Sequence, residues 1–467
     1  MTAARRAIIL VNACTLTFMA TLDGSIVNIA LPEISKALGA GIESVQWVVS
    51  SYLIAISATL LVWGRLADLH GRRRFFAAGL AIFTLGSLLS GLAANLPMLV
   101  LSRVLQALGA SMAMALVQGI VTSIYPPGER GKALGFIGAV VSVGSLLGPS
   151  LGGFLVHFAG WRSIFFINVP IGILGVALTF AVMPESPSEK GDFDWPGALL
   201  FGSLISLFFV WLLAWQEGRS PAALTIAAPL LTLALAAAFV LVERRRKHPL
   251  VDASLFRESV FTLGIAAGWF SYVAMFAYIF LMPFYLQAVR GLSALEAGLL
   301  LSIYPIVTAV LAPLFGTLSD RHGYLRFTVG GLATSALGLL LVSTLGTSSP
   351  LPLIGCYVAI LGLGGAAFQS PNNSSIMGAV PRNRLGVAGS LNSFFRNLGM
   401  VSGTTIAVAL FTFRTKVDLG SYAPGGLDPA IFMKGFGFVA VSSACLALAG
   451  SAINLLRLRS GPARKAG

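Results

Sequence analysis

Gly64-Arg65-Leu66-Ala67-Asp68-Leu69-His70-Gly71-Arg72-Arg73-Arg74 is a short basic stretch held between two long apolar runs. An echo stands 252 residues later as Gly316-Thr317-Leu318-Ser319-Asp320-Arg321-His322-Gly323-Tyr324-Leu325-Arg326. Gly64, Leu66, Asp68, His70 and Gly71 all recur at that one offset. Apolar runs of about 20 residues span a bilayer as helices, so each copy reads as a tight turn joining two membrane helices. A turn repeated at a fixed offset predicts two related halves.

The composition agrees with that solvent. Of 467 residues, 56% are hydrophobic and 10% charged, with a mean hydropathy of +0.87. A soluble domain carries about 25% charged residues. The net charge of +14 sits in short loops between apolar runs, where it reports topology and not nucleic-acid binding. Cys14, Cys356 and Cys445 all fall inside apolar runs and read as small packing residues, with no disulfide framework or metal site.

Fourteen apolar spans are predicted: 8–30, 45–66, 75–94, 97–122, 133–156, 163–183, 196–216, 221–242, 258–288, 295–318, 327–347, 350–376, 385–413 and 430–456. The offset pairs the second and third spans with the tenth and eleventh. The expected fold is therefore all-α and membrane-integral, with two six-helix bundles, 1–190 and 251–467, and two additional helices in 191–250. With the N-terminus inside, 22 of the 31 Lys and Arg fall in cytoplasmic loops, seven in outer loops and two in spans. That asymmetry places both termini in the cytoplasm.

Two charges stand deep in spans. Asp23, in Leu22-Asp23-Gly24-Ser25, is costly at that depth unless it faces a cavity or a partner. It reads as a proton acceptor that also attracts cationic substrate, or as a cap at a helix break beside Gly24. Arg103 is the second, with Gln106 one turn on along the same face. It needs a carboxylate, carbonyls or water, for which Asp23 is a candidate through a shared cavity; otherwise it ties helix ends together. Arg396 lies toward the inner third of its span, where an arginine snorkels or braces helices.

Polar and aromatic candidates for a substrate cavity are Asn28, Gln46, Tyr52, Gln106, Gln118, Tyr272, Phe276, Tyr304 and Asn373. Small residues crowd the fifth span, where Gly144, Gly148, Pro149, Gly152 and Gly153 allow close helix approach and a bend. Gly138, Ser142, Ser145, Pro149 and Gly152 share one face by spacing. With Gly64, Asp68, Gly71, Arg72, Asp320 and Arg396, the fifth-span residues are the candidate conformational and gating positions. Asp68 is expected against the N-terminus of a helix in the other half. His70, His157, His248 and His322 lie in loops without metal-ligand company, and no catalytic Ser/His/Asp set or nucleotide-binding glycine loop is present. The chain is not read as an enzyme.

Several stretches together resemble the fourteen-span drug:proton antiporter branch of the major facilitator superfamily, the QacA-like and EmrB-like exporters. They are Leu22–Pro32, Gln46-Trp47 through Tyr52, Gly64–Arg74, Arg103–Gly109, Gly144–Gly153, Trp161–Pro170, Asp194-Trp195 and Pro249–Asp252. The resemblance implies that the Gly144–Gly153 motif belongs to an antiporter, that Arg103 takes part in proton transfer and that Asp23 is the first-span acid. Relatives that export dications carry a further acid in the tenth span, which is missing here. The expectation is a monomeric drug:H+ antiporter in a bacterial inner membrane, exporting lipophilic, cationic small molecules by alternating access. It needs no cofactor beyond the proton gradient; a periplasmic adaptor is left open. The alternative is export of an endogenous metabolite, lipid or antibiotic, with drug resistance incidental.

Overall fold

The computed structural model describes residues 2–125, 130–185, 193–216, 222–243, 245, 253–381, 385–416 and 428–457. All regular structure among them is helical. In chain order the long helices are α1 (Ala3–Leu38), α2 (Trp47–His70), α3 (Arg72–Gly91), α4 (Leu96–Ile124), α5 (Arg130–Ala159), α6 (Asn168–Val182), α7 (Trp195–Gln216) and α8 (Ala222–Glu243). They continue with α9 (Ser259–Phe284), α10 (Ala294–His322), α11 (Tyr324–Ser343), α12 (Leu351–Gly378), α13 (Leu385–Thr415) and α14 (Pro429–Leu456).

Among the described residues, twelve helices are long and apolar enough to cross a membrane. Helices α5 and α8 show shorter apolar stretches there, Leu147–Ala159 and Ala227–Glu243. By that measure twelve of the fourteen expected spans are supported. Large apolar side chains cover the outside of the bundles, Leu101 at 71% and Phe413 at 74% exposure among them. A water-facing protein rarely keeps so continuous an apolar surface.

Local sequence explains where helices start. The Asn95 side chain accepts from the Met98 amide at 2.9 Å and caps α4. Ser293 and Glu296 form a reciprocal capping box at the head of α10, which accounts for that acid near a span end. The repeated turns are the same device twice. Gly71 has φ 98° and ψ 118°, and Gly323 has φ 85° and ψ 139°. Each ends one helix and begins the next within a single residue, in a backbone region that side chains avoid. Gly71→Val is therefore expected to cost about 1–2 kcal/mol, read as a lower melting temperature in detergent. A variant melting with wild type would contradict the turn's geometry.

Contacts divide the chain into two compact units. The first holds Met1–Leu38, Ser44–Gly148 and Leu155–Val251, and the second Gly39–Glu43, Pro149–Phe154 and Asp252–Gly467. Helices α7 and α8 pack on each other inside the first unit, with α7 also lying against α2. The internal echo runs deeper than the turn. In the first unit α3 packs on α4, and in the second α11 packs on α12. Gly79 and Gly86 on α3 recur 252 residues on as Gly331 and Gly338 on α11. A Cβ at Gly86 would lie 2.5 Å from the Gln106 amide nitrogen, and one at Gly331 2.6 Å from that of Phe368. Bare backbones meet at both crossings, as close membrane-helix packing requires.

Two readings need correction. Helix α1 runs unbroken through Asp23 and Gly24, so Asp23 is not a cap at a helix break. Cys14 is buried, but Cys356 and Cys445 are exposed; an apolar run in a membrane protein has a lipid-compatible face as well as a packed one, and a thiol suits either.

Candidate functional site

Helix α1 carries Asp23 into the middle of the first unit, where it is 1% exposed. Helix α4 brings Arg103 and Gln106, at 1% and 0%. Arg103 Nη1 donates to Asp23 Oδ2 in a buried ion pair. Gln106 Nε2 donates to the other carboxylate oxygen, Oδ1, at 2.9 Å, and Asn168 Nδ2 on α6 reaches the same oxygen at 3.4 Å. Both oxygens of the carboxylate are thus occupied.

The arginine is held as firmly. Its Nε donates to the Val48 carbonyl at 3.1 Å and Nη1 to Gln106 Oε1 at 2.6 Å. Its Cζ stands 4.0 Å from the centre of the Tyr52 ring and 5.8 Å from that of Phe165. Gln106 Nε2 also donates to Ser87 Oγ on α3 at 2.8 Å. Five helices therefore converge on one neutral pair. Burying two charges is expensive, and full pairing with satisfied hydrogen bonds is what makes it tolerable.

Glycines make the convergence possible. Gly86 lets α3 reach the Gln106 backbone, as described above. On α5, a Cβ at Gly148 would fall 1.8 Å from Ser25 Oγ, and one at Gly144 would lie 2.8 Å from Thr21 Oγ1. The fifth-span motif thus sets Gly144 and Gly148 against α1 at Thr21 and Ser25, on either side of Asp23, while Pro149 and Gly153 pack closely on Gly298 and Ala294 of α10. Gly152 and Gly153 are buried and Pro149 half-buried.

The remaining candidates fall into two sets. In the first unit, Asn28 Nδ2 donates back to the Gly24 carbonyl at 3.0 Å, and Gln46 is buried at the head of α2. Tyr52 and Gln106, expected to line a substrate cavity, are instead packed into the ion-pair cluster, Tyr52 at 2% exposure. The reason is electrostatic: a guanidinium under low dielectric recruits the nearest ring face. In the second unit, Tyr272 and Phe276 lie on α9 against Gly399 and Gly403 of α13. Tyr304 accepts from Gln369 Nε2 at 3.2 Å, and the charge of Arg396 acts on Tyr272. Asn373 is exposed and accepts from Asn392 Nδ2 at 3.1 Å. A cavity of about 10 Å³ beside Tyr304 and Gly365 holds about one water at most. Arg72 is half-buried. The surroundings of Gly64 and the side chains of Asp68, Gln118 and Asp320 lie outside what the structure describes.

Asn168, Ser87 and Phe165 were missed as members of the cluster. Asn168 could have been found as the one amide in an apolar span, the same signal that singles out Asp23.

A profile described as Major Facilitator Superfamily matches residues 13–404. The chain belongs to that superfamily. It is 39% identical over 407 residues to the riboflavin transporter RibZ of Clostridioides difficile, covering 86% of this chain and 88% of that one. It is 35% identical over 392 residues to the multidrug resistance protein Stp of Mycobacterium tuberculosis, covering 83% of this chain and 73% of that one. A solved bacterial homologue of the human lysosomal transporter Spinster superposes with a TM-score of 0.71 at 16% identity, over 98% of each chain. The POT family transporter PepTSo gives 0.71 at 16% identity, over 98% of each chain. Identities that low speak for the fold alone. As a member of the superfamily the chain is a multi-pass membrane transporter, and its relatives are transporters, not enzymes.

Proposed function

We propose that this transporter is a proton-coupled exporter of lipophilic small molecules, of the fourteen-span drug:H+ antiporter branch. It works as a monomer in a bacterial inner membrane, with both termini in the cytoplasm and the proton gradient as its only energy source. The observation that carries the reading is the buried Asp23 carboxylate, closed on Arg103, Gln106 and Asn168. Protonating it cancels the ion pair's attraction and frees Arg103 from its counter-charge; losing the proton restores the pair. Such a switch between paired and unpaired forms is the kind of two-state element that alternating access needs. The relatives named for multidrug resistance support efflux.

A second reading, transport of an endogenous metabolite or antibiotic, is favoured by the likeness to a protein named as a riboflavin transporter. Cationic cargo was expected because Asp23 offered a free negative charge. With Arg103 beside it, that charge is neutralised.

The test is flux into proteoliposomes under an imposed pH gradient, with ethidium and riboflavin as probes. Wild type should transport at least one of them clearly faster with the gradient than without. Asp23→Asn should lose that acceleration. A wild-type rate indifferent to the gradient ends the proton-coupled reading, and acceleration kept in Asp23→Asn moves the coupling elsewhere.

A further inference from the structure

The charges inside the described helices do not balance. Asp23 and Arg103 cancel in the first unit. In the second, Glu296 serves the cap of α10, Lys434 and Arg414 lie near helix ends, and Arg457 closes α14 by donating to the Val260 carbonyl at 2.8 Å. Arg396 remains. It stands eleven residues into α13, about 16 Å along the axis. Among the described residues it has no carboxylate partner; Tyr272 on α9 is the neighbouring group that feels its charge. An unpaired arginine at that depth is expensive, and membrane proteins retain one where it lines a substrate path.

Its neighbourhood is short of acceptors. Trp269 sits one turn before Tyr272 on α9, and its Nε1–H is buried with no acceptor. Gly399, one turn after Arg396, brings α13 within contact of both: its Cβ would lie 2.8 Å from Tyr272 Cβ and 3.5 Å from Trp269 Cδ1. Arg396, Trp269 and Tyr272 are each half-buried as whole residues, the Trp269 Nε1–H itself being covered. The Arg396 cation, the indole ring and the phenol together form an aromatic-walled corner with one positive charge.

We propose that Arg396, Tyr272 and Trp269 bind the anionic or acceptor-rich pole of the cargo. The substrate class is then an aromatic amphiphile carrying a carboxylate, phenolate or ionised imide, and not a lipophilic cation. The planar guanidinium pairs with two adjacent acceptor oxygens or with an oxygen and a nitrogen, while the indole and phenol faces receive the apolar body. The proposal rests on the reading that the chain carries lipophilic small molecules.

The test uses tetraphenylborate and tetraphenylphosphonium, which match in shape and differ in sign. Binding of each to the purified full chain is measured by equilibrium dialysis against protein-free micelles. Wild type should hold tetraphenylborate about tenfold more tightly, through attraction between its negative charge and the guanidinium. Arg396→Gln should bring the two ions to near parity, and Arg396→Lys should keep the preference. In wild type, tetraphenylborate should also quench tryptophan fluorescence, and Trp269→Phe should lose part of that quench. Parity, a preference for the cation, or no binding of either ion by wild type overturns the proposal; so does a preference that survives Arg396→Gln. If the Gln variant fails to fold by size exclusion, an undiminished quench in Trp269→Phe overturns the location by itself. No gradient is applied, so failure of proton coupling leaves this result standing, and failure here leaves the proteoliposome test untouched.

Discussion

Arg103→Leu is expected to destabilise the protein by about 3–5 kcal/mol, because it strands a buried carboxylate without its cation. Asp23 would keep only the amides of Gln106 and Asn168, and Tyr52 would lose the guanidinium over its ring. The double variant Asp23→Leu/Arg103→Leu removes both charges and should recover most of that loss, since exchanging a buried pair for apolar groups is often neutral. Thermal melts in one detergent, for the two single variants and the double, complete the cycle. A single Arg103→Leu melting beside wild type would mean that the pair carries little energy. Flux gives the complementary result: the double variant should be stable and inactive, which separates holding the bundle together from driving transport.

The second large effect concerns two adjacent glycines with opposite expected outcomes. Gly331→Val should cost about 3 kcal/mol, the upper part of the range for overpacking, because its Cβ would meet the Phe368 amide at 2.6 Å and the Gly364 carbonyl at 2.9 Å. Both obstacles are backbone and cannot rotate away. Gly330, one residue earlier, is exposed and has no atom within 4 Å of its Cβ position. Gly330→Ala should therefore gain about 0.5–1 kcal/mol from helix propensity alone. Similar melting temperatures for Gly330→Ala and Gly331→Val would contradict the close α11–α12 crossing.

The architecture was legible because it is written in quantities that one sequence contains: run length, loop charge and a turn repeated at a fixed offset. Depth in a span also singled out Asp23 and Arg103, since an ionised group there must have a reason. Their direct contact was not legible. The two are 80 positions apart, and nothing in either helix specifies how far it is rotated toward the other. The same ignorance of rotation hid Asn168 and Ser87, and it assigned Tyr52 to an open cavity when its ring lies under the guanidinium. On α5, spacing found a small-residue face, but only packing shows Gly144 and Gly148 meeting Thr21 and Ser25 of α1. Arg396 reads from sequence as snorkelling or bracing toward the inner side; the neighbours that make it chemically distinctive come from α9, more than a hundred residues earlier.

The closed pair of Asp23 and Arg103 has an electrical consequence. A neutral pair feels no net force from the membrane potential, so while closed it is indifferent to voltage. Add one proton to the carboxylate, and a full positive charge remains on a side chain deep in the hydrocarbon layer. An elementary charge crossing the whole field is worth about 2.3 kcal/mol per 100 mV. Protonation would therefore turn a voltage-blind site into one that the resting potential pulls toward the cytoplasm.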